Sequence, residues 1–125
     1  MHAEVVQEFV FEAAHFLPEV AAGHACARIH GHSYRVGIHV AGGVDPRTGF
    51  VIDFHDVEAA SEPAVSRLDH RLLNEVEGLP NPTAEHIAAW LWDRIAPLLP
   101  GLVLVEIWET PASRVLYRGP DGVTR

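Results

Sequence analysis

Cys26-Ala27-Arg28-Ile29-His30-Gly31-His32-Ser33-Tyr34, continued by Arg35-Val36-Gly37-Ile38-His39-Val40, sets a thiol and two imidazoles at the head of an alternating segment. From His30 onward, Tyr34, Val36, Ile38 and Val40 fall on one parity and Gly31, Ser33, Arg35, Gly37 and His39 on the other. That period of two predicts a strand with one buried face. His30 and His32 share the apolar parity, so their side chains project from one side, about two rises of ~3.3 Å apart. The spacing suits chelation. Neutral imidazole nitrogen is a good zinc ligand, and a catalytic zinc ordinarily takes three protein ligands and keeps a fourth position open.

Two histidines leave a third ligand to be found. Upstream, Val5 to Phe16 is rich in Val and Phe and predicts a first strand, antiparallel to the second, with Pro18 to Ala27 as the loop between them. His15 shares parity with Phe9, Phe11 and Ala13, which sets it at the end of an apolar face. His39 has the wrong parity, His55 and His86 lie near expected helix starts, and His2 lies in a terminus expected to fray. His15, His24 and His70 remain, of which His15 fits best.

Downstream, Gly42-Gly43 and Asp45 to Gly49 form a turn-rich excursion, and Phe50 to Phe54 is expected to extend the sheet briefly. The period then changes. Val57, Ala60, Ala64 and Leu68 recur at helical spacing after Asp53, a candidate N-cap, and Pro63 is expected to kink or restart this helix. A second helix has Thr83 as candidate N-cap and Ile87, Ala88, Leu91, Ile95 and Leu98 as its buried stripe, ended by Pro97 and Pro100-Gly101. Leu102 to Glu109 is apolar on both parities, the pattern of a strand buried on both faces, and Arg114 to Tyr117 is a short last strand. The order ββααββ predicts an α+β domain spanning residues 1–125: a four-stranded antiparallel sheet with two helices on one face. The other face is left for contact with further subunits.

A chain of 125 residues can bury a core but is short to enclose a deep pocket alone. With 48% hydrophobic and 21% charged residues it has an ordinary globular composition. A single cysteine permits no internal disulfide and suits a reducing compartment. No apolar run reaches membrane-spanning length, and Met1-His2-Ala3-Glu4 lacks a signal peptide's layout, so a cytoplasmic location with no membrane partner is expected. The net charge of -8 argues against nucleic acid as a partner. All nine basic residues are arginines, a side chain suited to bidentate phosphate contacts.

Three further groups carry chemistry. Cys26 reads as an inert thiol, as a fourth zinc ligand in a closed structural site, or as a thiolate acting as base or nucleophile. Asp69-His70 reads as a solvated helix-end pair, or as a relay in which the aspartate orients a proton-transferring imidazole. Glu109 shares parity with Val103, Val105 and Ile107, so its carboxylate needs a partner: a ligand offering two parallel N–H donors, or a neighbouring arginine.

Taken together, Phe11-Glu12-Ala13-Ala14-His15, Gly23 to Tyr34, Val51-Ile52-Asp53-Phe54, Leu68-Asp69-His70, Asn81-Pro82-Thr83-Ala84-Glu85 and Trp108-Glu109-Thr110 resemble the 6-pyruvoyltetrahydropterin synthase family, in family order over nearly the whole chain. The resemblance implies the tunnelling fold and a homohexamer built as a dimer of trimers, with active sites at subunit contacts. It implies Zn²⁺ on His15, His30 and His32, Cys26 as catalytic base, and Asp69 and His70 as a relay. Glu109 would anchor the pterin and share in the relay, and Thr83 and Glu85 would line a second pterin-contacting segment. The three-residue spacer between Cys26 and His30 is similar to that of members producing 6-carboxy-5,6,7,8-tetrahydropterin from 7,8-dihydroneopterin triphosphate. That activity implies a zinc-dependent lyase of queuosine biosynthesis. The pyruvoyl product and a catalytically silent zinc-binding relative are the alternatives, and His24 and Arg28 are conceivable triphosphate contacts.

Overall fold

The computed structural model describes residues 1–122, so the last three residues of the expected domain span lie outside the described residues. β1 (His2–His15) and β2 (His30–Gly43) pair antiparallel along their whole lengths, from His2 opposite Gly43 to His15 opposite His30. His2 is therefore a strand residue, not a frayed end. The alternation read in the sequence decides which side chains are covered: Phe11, Ala13, Tyr34, Val36, Ile38 and Val40 are buried on one face, while Glu8, Glu12, Ser33 and Arg35 are exposed on the other.

α1 (Phe54–Ser66), β3 (Arg71–Leu72), α2 (Ala84–Ile95), β4 (Leu102–Thr110) and β5 (Ser113–Tyr117) complete the order. The sheet runs β3-β1-β2-β4-β5. The expectation of four antiparallel strands in the order ββααββ is corrected by β3, a fifth strand that pairs parallel to β1 through Ala13 and Ala14. Two residues are too few to show a period, so β3 is set by its flanks. On one side the Glu12 N–H donates to Asp69 Oδ1 at 2.9 Å and the His70 N–H to the Glu12 carbonyl at 2.6 Å. On the other, Asn74 binds both backbone groups of Phe16, accepting from its N–H at 3.0 Å and donating to its carbonyl at 2.8 Å.

Asp53 caps α1 by accepting the His55 N–H, and Thr83 caps α2 by accepting the His86 N–H, as expected. α1 continues through Pro63. Both Pro63 and Ala59, the residue whose carbonyl loses its donor there, are exposed, so water satisfies what the ladder cannot. Phe50 to Phe54 forms no strand; it is a bend that leads into the Asp53 cap, and Phe54 opens α1. Leu98 is 62% exposed instead of buried, because Pro97 converts the end of α2 into a 3-10 turn (Ala96–Leu98) that rotates it outward.

Val57, Ala64, Val65 and Leu68 from α1 and its end, and Ile87, Ala88, Leu91 and Ile95 from α2, close over the apolar sheet face as one core. Each fully buried Val, Leu or Ile among them contributes about 1.5–3 kcal/mol. β4 is not buried on both faces within the protomer. Val103 is the extra residue of a bulge between His39 opposite Leu104 and Val40 opposite Leu102, and it is exposed, while Leu104 and Trp108 are half-buried.

The outer face also holds a residue the apolar pattern hid. Glu106 is buried, and Arg114 donates to its Oε2 at 2.7 Å. Gly37 makes the room: a Cβ there would lie 2.9 Å from Glu106 Oε1.

Candidate metal centre and active site

The β1–β2 register delivers the histidines. His15 stands opposite His30, and His32 stands two residues further along β2 on the same parity, so all three rings meet at one end of the covered sheet face. Ring centroids are 4.5 Å apart for His15–His30, 5.1 Å for His15–His32 and 5.0 Å for His30–His32. Each offers one ligand atom within 4.8 Å of the others, and among the described residues this is the cluster that could hold a metal ion.

Their hydrogen bonds say which atoms are free. His15 Nδ1 lies 2.8 Å from the Pro82 carbonyl and His30 Nδ1 lies 2.7 Å from the Arg28 carbonyl. A carbonyl only accepts, so both Nδ1 atoms carry the proton and both Nε2 atoms keep their lone pairs. His32 Nε2 is buried with no hydrogen-bond partner, 3.6 Å from Glu109 Oε1. Burial pulls the His32 imidazole below its ordinary pKa against the opposing pull of Glu109, with His15 and His30 adding to the lowering. Three converging imidazoles and an orphaned buried nitrogen fit a divalent metal such as zinc. Tyr34 lies beside this group, its ring stacked on Phe11 and its hydroxyl 3.3 Å from His15 Nδ1. Burial, with Glu109 contributing, raises its phenol far above the usual value, so it stays protonated.

Cys26 is half-buried in a one-turn 3-10 segment (Ala25–Ala27) and is not a member of the His15, His30 and His32 cluster. Its carbonyl accepts from the Leu17 N–H at 2.8 Å, tying the loop to the end of β1.

Asp69 and His70 sit at the outer edge of β1. His70 Nδ1 is 3.0 Å from Asp69 Oδ1, and the Glu12 N–H and His70 together hold the Asp69 carboxyl below its usual value. His70 adopts φ 57°, the left-handed region, and is the one described residue other than glycine to do so. Its side chain is exposed. It borders an open concavity of about 570 Å³ that His32 and Ser33 also line. No hydrogen bond or ion pair among the described residues joins this pair to Cys26.

Glu109 and Glu85 line a second concavity of about 190 Å³ with Ala84 and Ser113. Thr83 is not among its walls, since its hydroxyl is occupied in capping α2. Sequence reasoning missed the Pro82 carbonyl as the partner of His15: a backbone acceptor leaves no mark in the side-chain pattern.

A covered face with three converging imidazoles, on a sheet of this order with two helices, defines a class of α+β proteins whose central strand pair could hold a metal ion. Residues 4–120 match the family described as 6-pyruvoyl tetrahydropterin synthase, and the chain belongs to that family. It is 41% identical over 122 residues to the 6-carboxy-5,6,7,8-tetrahydropterin synthase of Synechocystis sp., covering 93% of each chain. It is 34% identical over 131 residues to the enzyme of the same name from Bacillus subtilis, covering 95% of this chain and 87% of that one. Among solved structures, the 6-pyruvoyl tetrahydropterin synthase of Caenorhabditis elegans superposes with a TM-score of 0.88 at 25% identity, covering 95% of this chain and 96% of that one.

Proposed function

We propose that this protein converts 7,8-dihydroneopterin triphosphate and water to 6-carboxy-5,6,7,8-tetrahydropterin, acetaldehyde and triphosphate, with Zn²⁺ on His15, His30 and His32, in the pathway to queuosine. The convergence of these imidazoles around the unpartnered His32 Nε2 carries the proposal. The Synechocystis and Bacillus relatives support the choice of product.

Bound zinc supplies Lewis-acid polarisation of the substrate's side-chain oxygens. Glu109, in the wall of the 190 Å³ concavity, accepts the amino and ring N–H pair of the pterin, and Glu85 lines the same space. Thr83 acts at one remove by fixing the start of α2. Cys26, as thiolate, takes the proton from the carbon adjoining the polarised oxygen. His70 exchanges its proton at Nε2, because its Nδ1–H donates to Asp69. Incubating zinc-loaded protein with 7,8-dihydroneopterin triphosphate and identifying products by mass spectrometry is expected to give the carboxylated pterin and acetaldehyde. A pyruvoyl pterin without acetaldehyde would instead establish the second reading, which the likeness to the Caenorhabditis fold favours.

That no hydrogen bond or ion pair among the described residues joins Asp69-His70 to Cys26 supports completion of the site across a subunit contact, in a homohexamer of two trimers. Cys26→Ser and His70→Ala proteins, each inactive, are then expected to regain about a quarter of wild-type turnover when unfolded and refolded together, since random assembly unites two intact halves at about that frequency. No recovery in mixed oligomers would place both groups in one subunit's site.

A further inference from the structure

The loop bearing Cys26 is held by a bond the catalytic reading does not use. The Cys26 N–H donates to His24 Nδ1 at 3.0 Å, and His24 is the N-cap of the 3-10 turn that carries the thiol. His24 has the extended backbone of a cap, φ -65° and ψ 137°. Its carbonyl also accepts the Ala27 N–H at 3.0 Å, so side chain and main chain of one residue close both ends of the turn. Beyond it, Arg28 is extended and its carbonyl fixes His30 Nδ1 at 2.7 Å. The spacer from Cys26 to His30 is therefore pinned at one end by the His24 cap and at the other by a metal-site imidazole.

Histidine is an unusual cap, because Ser, Thr, Asp and Asn dominate that position. An imidazole nitrogen can fill it only while unprotonated. The bond from Cys26 requires a lone pair on Nδ1, which puts the ring's single proton on Nε2.

We propose that His24 is a positioning residue for Cys26: its Nδ1 lone pair, by capping the Ala25–Ala27 turn, sets where the thiol stands relative to the His15, His30 and His32 group. The proposal rests on the assignment of Cys26 as the base, and it replaces the sequence expectation of His24 as a triphosphate contact. A substrate-binding role would need the imidazole itself. A capping role needs only a short acceptor, so asparagine should serve.

The test is a comparison of His24→Ala and His24→Asn in zinc-loaded protein, with zinc content and thermal unfolding as folding controls. In His24→Ala, kcat is expected to fall about tenfold with KM changed less than about twofold, and iodoacetamide should alkylate Cys26, the sole cysteine, about threefold faster as the turn loosens. His24→Asn is expected to restore both within about twofold. Wild-type kcat and alkylation in His24→Ala, or an asparagine variant as impaired as the alanine one, would overturn the proposal. A raised KM in both variants would do so too, by assigning the imidazole to substrate. The alkylation rate keeps this separate from the base assignment: if Cys26→Ser turns over normally the base assignment falls, while the cap is still judged on thiol reactivity.

Discussion

Cys26→Ser is expected to lower turnover by about 10²–10⁴-fold, the contribution of a positioned general base, while zinc stays at one per chain. A serine hydroxyl does not ionise near neutrality, so the proton acceptor is lost with little change in volume. Zinc is retained because the cysteine lies outside the group formed by His15, His30 and His32. Steady-state kinetics and metal analysis on the same preparation check both halves. Loss of zinc along with activity would return Cys26 to the ligand set, and undiminished turnover would end its assignment as the base.

His32→Ala is the second change with a large expected effect. Zinc bound to full protein sites in small peptides is worth about 10–16 kcal/mol, so one ligand among three or four accounts for roughly 3–5 kcal/mol, or about 10²–10⁴-fold in affinity. Competition with a chromophoric chelator should register that loss, and turnover should vanish at limiting zinc. Thermal unfolding adds a second readout. A ligand that binds only the folded state stabilises it by about 4 kcal/mol at a thousandfold excess over its Kd, so chelation should lower the wild-type Tm and leave that of His32→Ala unmoved. His39→Ala is the control. It removes an imidazole from the same strand, but His39 lies on the outer face with its Nδ1 2.7 Å from Glu4 Oε2, and zinc affinity should not change. Equal loss in both variants would mean that the histidines act through general stability instead of coordination.

The contrast between His32 and His39 also shows how much of the site is legible in the sequence. A strand has a strict period of two, so parity alone separates the imidazoles that join the buried group from the one that does not. The same rule put His15 on the covered face of β1, and helical spacing with a preceding Asp or Thr located α1, α2 and their caps. Reading failed where structure is not carried by side-chain periodicity. β3 is two residues long and owes its pairing to Asp69, His70 and Asn74 acting on the backbone of β1. Leu98 has the right spacing for a buried stripe, but Pro97 removes the hydrogen bond that would have kept it in register. Glu106 interrupts an apolar run and is buried all the same, because Arg114 reaches it from the neighbouring strand and Gly37 leaves space beneath it.

For the site the division is sharper. Residue types and parities paired His30 with His32 and made His15 the best-fitting third member of the cluster, since the chemistry of a ligand and the face it occupies are local properties of a strand. Which nitrogen His15 and His30 present was decided only by the folded chain, through the carbonyls of Pro82 and Arg28, the first brought from the loop before α2, 67 residues away in sequence. The pairing of His70 with Asp69 and the His24 cap on the Cys26 turn belong to the same class. A backbone carbonyl or a cap is available at any residue, so nothing in the side-chain pattern distinguishes the ones that are used. Long-range packing chooses among them.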